Sequence, residues 1–173
     1  MRYLILLAVT AVNLIFANTV FPNLNIAGIA PDIIICTVTS IIILENSMTG
    51  VWIGLLCGLL TDLFAGIIGF YALPYFLAAA IVYFIRKNVY YFDRFLLPFL
   101  FAIGASILKD ALTALLAYML DKQFSLSYMF IRYMLPDAAA TGALMLLVHF
   151  LLTKIFHLSY MKKKSHEDFK RLL

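Results

Sequence analysis

Six ionisable residues stand where the chain is otherwise apolar: Asp32, Asp62, Lys109, Asp110, Arg132 and Asp137. A charge in an apolar segment is expensive unless it is paired or wet, so each one marks a site of polar contact or polar chemistry. Four acids face two bases in this set, which leaves two carboxylates to be protonated, hydrated or met by another protein. The chemistry open to them is ion pairing that fixes helix register, hydrogen bonding to a partner, or a proton relay through Lys109, Asp110 and Asp137 in an ion-coupled carrier. Counting residues from the segment ends puts Lys109, Asp110 and Asp137 at one depth, and Lys109 is expected to pair with Asp137. Neighbouring residues on a helix do not face each other, so Lys109 and Asp110 are not expected to satisfy one another. Asp32, Asp62 and Arg132 fall nearer the outer surface, with Asp62 the preferred partner of Arg132.

No enzyme constellation accompanies these charges. The sequence has no Gly-x-Ser-x-Gly, no His-Glu-x-x-His and no phosphate-cradling glycine loop. His149 is a lone imidazole in an apolar run, while His157 and His166 lie near or beyond the end of the last one; structural or solvated roles are expected for all three. Cys36 and Cys57 lie in apolar segments without metal-type spacing, so packing is their expected role. Neither cofactor nor metal is expected, and the chain reads as a non-enzyme.

A second pattern is steric. Gly50, Gly54 and Gly58 recur every four residues, and Asp62 follows at the same interval. Small residues at this spacing let two helix backbones approach closely. Packing inside the bundle is the first reading of the stripe, and packing against a partner's helix is the second. Each four-residue step turns about 40° beyond a full revolution, so Asp62 is expected on the packed flank beside Gly58.

The elements that must position these residues follow from composition. The chain has 173 residues, 65% hydrophobic and 13% charged, with mean hydropathy +1.01. A soluble domain needs more polar surface than this, whereas lipid tolerates an apolar exterior. The sequence therefore predicts an all-α integral membrane protein of six transmembrane helices, spanning 1–160, with a basic cytoplasmic tail at 161–173. The predicted spans run about Tyr3–Phe21, Pro31–Leu44, Thr49–Phe64, Phe70–Ile85, Phe95–Leu120 and Ser127–Phe156. Spans two and three are short. Met1 to Val20 reads as a retained first span, because its apolar run is long and no small-x-small cleavage site precedes Pro22.

The formal charge of +4 does not indicate nucleic-acid binding, because the basic residues gather at span ends instead of forming a patch. With both termini in the cytoplasm, Arg2, Arg86, Lys87, Arg94, Lys154 and the tail's Lys162, Lys163, Lys164, Lys170 and Arg171 share that side, and Lys122 stands opposite. An even number of spans is required for this distribution. The tail reads as a topology anchor, with binding of anionic lipid or a cytoplasmic partner as the alternative. Tyr90-Tyr91-Phe92 fits an interfacial aromatic belt.

Two segments resemble a known family. One is Ala30-Pro31-Asp32-Ile33-Ile34-Ile35. The other runs from Gly54 to Leu73, a glycine-spaced span ending in Leu60-Thr61-Asp62-Leu63, then Gly66, Gly69 and Ala72-Leu73. Together they are similar to the rod-shape-determining protein MreD family, to which chain length, span count and basic tail also conform. Thr37, Thr39 and Ser40 depart from the aliphatic run expected in span two. The resemblance implies a fold similar to the substrate-binding subunits of energy-coupling-factor transporters. It also implies a non-enzymatic component of the bacterial cell-wall elongation machinery in the inner (plasma) membrane. The partners it implies are MreC directly, and RodA, a class B penicillin-binding protein and MreB through the complex. The matching positions are Pro31, Asp32, Gly54, Gly58, Asp62, Gly66 and Gly69, each fitted either to bind a partner or to shape a helix end. A vitamin-binding subunit of an energy-coupling-factor transporter is the competing reading; short outer loops with few polar residues argue against it.

Overall fold

A computed structural model describes residues 2–20, 31–66, 69–88, 96–120 and 134–156. Among these residues the chain is all-helical. The helices are α1 (Arg2–Ile15), which passes into a π-helical turn (Phe16–Val20), α2 (Ile33–Glu45), α3 (Thr49–Ala65), α4 (Ala72–Asn88), α5 (Leu96–Leu120) and α6 (Leu135–Phe156). Two stretches, Leu96–Met119 in α5 and Leu135–Phe156 in α6, are long and apolar enough to cross a membrane. The sixth predicted span begins at Ser127, inside a segment outside the described residues, as do Lys122, Arg132, His157, His166 and the basic tail.

Helix α2 is the axis of the bundle and packs against each of the other five helices. A helix surrounded on all sides should be apolar on all sides, and the run from Ile34 to Ile43 is buried throughout. Its small polar residues are accommodated there. Thr37 Oγ1 donates to the carbonyl of Ile33 at 2.9 Å, and Ser40 Oγ lies 3.6 Å from Met145 Sδ and 3.3 Å from His149 Nδ1. The departures from an aliphatic run at Thr37, Thr39 and Ser40 thus lie inside the bundle, with Ser40 turned to α6. The two cysteines are also interior, Cys36 at 0% and Cys57 at 2% exposure.

Both ends of α2 are closed by local chemistry. Asp32 takes an extended conformation and caps the N-terminus, its Oδ1 accepting from the backbone N–H of Ile34 at 3.0 Å and of Ile35 at 3.1 Å. At the other end Asn46 enters the left-handed region (φ 47°) and donates its N–H to the Ile42 carbonyl at 3.0 Å. Ser47 Oγ then accepts from the backbone N–H of Thr49 at 3.3 Å, starting α3.

The glycine stripe of α3 faces inward. A Cβ on Gly50 would collide with the Ile42 side chain of α2. On Gly54 it would stand 3.4 Å from Val38 of α2 and 3.2 Å from Ala79 of α4, and on Gly58 2.6 Å from the Ala72 Cα of α4. The stripe therefore moves from α2 to α4 along its length, as the drift of a four-residue repeat requires. On the opposite side, Trp52, Leu56, Leu60, Leu63 and Phe64 are exposed. A similar close approach joins α6 to α5, where a Cβ on Gly142 would meet Ile103 at 2.8 Å and Phe99 at 2.9 Å.

Candidate functional site

Three of the six ionisable residues, Asp32, Lys109 and Asp110, assemble where α2 begins. Helix α2 has 13 residues, a length of about 20 Å, against 25 residues in α5, or about 37 Å. The Asp32–Lys109 contact sets the N-terminus of α2 against the middle of the longer helix. This explains the first departure from expectation: Asp32 was placed near the outer surface, yet it sits opposite Lys109.

Lys109 Nζ lies 2.9 Å from Asp32 Oδ2 and 2.7 Å from Asp110 Oδ1. The expected partner of Lys109 was Asp137; the carboxylates at its ammonium are instead those of Asp32 and Asp110. Asp137 stands in the first turn of α6. The pairing of adjacent Lys109 and Asp110 also departs from expectation. The long lysine stem lets the ammonium fold back to a neighbour that the helix geometry alone would separate.

Asp32 organises the cluster. Its Oδ2 accepts from Tyr75 Oη at 2.6 Å as well as from Lys109, while Oδ1 takes the two cap N–H groups. Its own backbone N–H donates to Thr141 Oγ1 of α6 at 3.0 Å. One carboxylate therefore ties α2 to α4 and α5, and its backbone ties α2 to α6. The Lys109 ammonium also lies 5.7 Å from the centroid of the Tyr75 ring, within cation–π range. Tyr75, Thr141 and Ser106 belong to this region and were missed in the sequence. Ser106 has a visible signal, four residues before Asp110 on the same helical face. Tyr75 and Thr141 have none.

Asp62 performs a separate task. It is 1% exposed and accepts three backbone N–H groups: Gly69 at 2.8 Å and Ala72 at 3.1 Å on Oδ2, and Tyr71 at 2.7 Å on Oδ1. The carboxylate gathers the turn after α3 and the first residue of α4 onto the end of α3. Gly66 closes α3 in the left-handed region (φ 74°), and Gly69 adopts φ 91° in the same turn; both need a residue without Cβ. Arg132, the expected partner of Asp62, lies outside the described residues.

Comparison of the chain with family models, with curated proteins and with solved structures returns no match. The chemistry must therefore be read from the arrangement itself. Asp32, Asp62, Gly66 and Gly69 shape helix ends, and Gly54 and Gly58 close helix contacts. Among the described residues no group of three or more His, Cys, Asp or Glu side chains is placed to hold a metal ion.

Proposed function

We propose that this chain is a multi-pass membrane scaffold of the bacterial cell-wall elongation complex, lying in the inner membrane with both termini in the cytoplasm. What carries the reading is an inverted distribution of polarity. Charged and hydroxyl side chains at Asp32, Asp62, Tyr75, Lys109 and Thr141 engage one another or the backbone inside the bundle. Large apolar side chains cover the outside, with Leu63 at 69%, Phe64 at 73% and Met119 at 75% exposure. Water penalises such an exterior and hydrocarbon does not.

In this reading all six helices are embedded, including the short α2, which its neighbours enclose. The resemblance of the Ala30–Asp32 and Gly54–Leu73 segments to the MreD family supplies the partners: MreC directly, with RodA, a class B penicillin-binding protein and MreB through the complex. The glycine flank of α3 is taken up within the bundle. A partner helix is thus left with outward apolar faces, such as the groove of about 440 Å³ bordered by Leu6, Leu14, Ile53 and Leu56 of α1 and α3.

The test is a pull-down of the full chain from bacterial membranes, with identification of the proteins that accompany it. Enrichment of MreC and peptidoglycan synthases supports the reading. A tightly retained vitamin, or an energy-coupling ATPase module in their place, would transfer the chain to the transporter-subunit class.

A further inference from the structure

Beside the Asp32–Lys109 pair, two buried oxygens have no hydrogen-bond partner among the described residues: Ser106 Oγ and Asp110 Oδ2. Both belong to α5, one turn apart on the same face. Ser106 is 1% exposed, and the other oxygen of Asp110 is held by Lys109 at 2.7 Å. A buried acceptor left unmet is destabilising, more so when it carries charge.

The local charge balance shows the same deficit. Among the described residues, Asp32 and Asp110 share one ammonium, and the remaining titratable group of the cluster is the Tyr75 phenol, which donates to Asp32. With both acids ionised, the cluster would keep one uncompensated negative charge. Asp32 is the acid built to stay ionised, because two backbone N–H groups, a phenol and an ammonium all donate to it. Among the described residues Asp110 has the ammonium at Oδ1 and otherwise only the neutral Ser106 hydroxyl, one turn away.

The other charged groups on the elements packed against α5 are placed as follows. Helix α2 presents Asp32 and ends at Glu45. Helix α4 presents Tyr75 and carries Tyr83, Arg86 and Lys87 in its second half. Helix α6 carries Asp137 in its first turn, His149 beside Ser40, and Lys154 over the Phe150 ring.

We propose that Asp110 is a proton-binding site, carrying its proton on Oδ2 and sharing it with Ser106 Oγ, while Asp32 remains ionised on Lys109. A bond from the Ser106 hydroxyl to an ionised Oδ2 would satisfy both oxygens yet leave the extra negative charge; one proton on Oδ2 removes that charge and makes Oδ2 the donor to Ser106. A metal cation is the poorer occupant: an ammonium already stands on the same carboxylate and would repel it, and hard cations require about six oxygen ligands.

The experiment is infrared spectroscopy of the full-length protein in lipid nanodiscs at neutral pH. A protonated carboxyl gives a C=O band well separated from that of a carboxylate. The expected result is such a band in the wild type, lost in Asp110→Asn and moved to higher frequency in Ser106→Ala, where the acid keeps its proton but loses its acceptor. A wild type without the band overturns the proposal, as does a band that survives Asp110→Asn. If Asp110→Asn does not fold, the Ser106→Ala shift decides, and an unmoved band overturns it. Absence of the band together with a sodium-dependent rise in melting temperature would assign a cation and likewise overturn it. None of these outcomes alters the pull-down result, so the two readings fail separately.

Discussion

Lys109 Nζ meets Asp32 Oδ2 at 2.9 Å, joining helices across 77 positions of sequence. Taking away one member of a buried pair strands the other and costs about 3–5 kcal/mol. Lys109→Met, which also deprives Asp110 of its cation, should therefore unfold at a markedly lower temperature in detergent. The double variant Asp32→Asn/Lys109→Met should recover part of that loss. A thermal scan of the three proteins checks this, and equal melting temperatures for the wild type and Lys109→Met would refute it.

Tyr75→Phe isolates one bond. The ring keeps its packing, but Asp32 Oδ2 loses the donor at 2.6 Å. Hydrogen bonds to charged groups contribute about 1.5–3 kcal/mol. Chemical denaturation should register a loss of that order, with partner binding intact in pull-downs.

The turn between α3 and α4 hangs on Asp62. Asp62→Ala leaves the N–H groups of Gly69, Tyr71 and Ala72 without their acceptor, each at a penalty of about 1–3 kcal/mol where water cannot reach it. Asp62→Asn retains one acceptor oxygen and should be intermediate. Limited proteolysis should cut between α3 and α4 fastest in Asp62→Ala, then in Asp62→Asn, and slowest in the wild type.

Glycines on different faces should respond in opposite directions. Gly58→Leu, and even Gly58→Ala, places carbon 2.6 Å from the Ala72 Cα, where backbone must move; Gly54→Leu acts similarly against Ala79. Gly104 has nothing within 4 Å of its Cβ position. Gly104→Ala should be neutral or stabilising by about 0.5–1 kcal/mol, from helix propensity alone. Melting temperatures that fall for Gly58→Ala and hold or rise for Gly104→Ala would bear this out.

Local signals in the sequence translated well. Pro31-Asp32 marks the start of α2, Glu45-Asn46-Ser47 its end, and the apolar run to Leu120 the extent of α5, because caps and hydrophobic length act within a few residues of where they are read. The four-residue glycine repeat indicated a packed flank and the place of Asp62 beside it. Its neighbours, α2 and α4, came from tertiary structure. The pairing of Lys109 failed for a specific reason. Depth was counted as if each span began at the outer surface, but α2 starts halfway along α5. Tyr75 and Thr141 each carry an ordinary polar group in an apolar run, and only the assembled bundle brings them to Asp32.

The interior position of Cys36 and Cys57 makes the chain a reporter of its own opening. No other thiol occurs in the sequence, so a maleimide dye added to the intact protein reacts only as fast as the bundle parts. Single cysteines placed in the segments between helices would label against a silent background, without first mutating the native pair. Under the proposed multi-pass topology, inside-out and right-side-out vesicles would then place each segment on one side of the bilayer or the other.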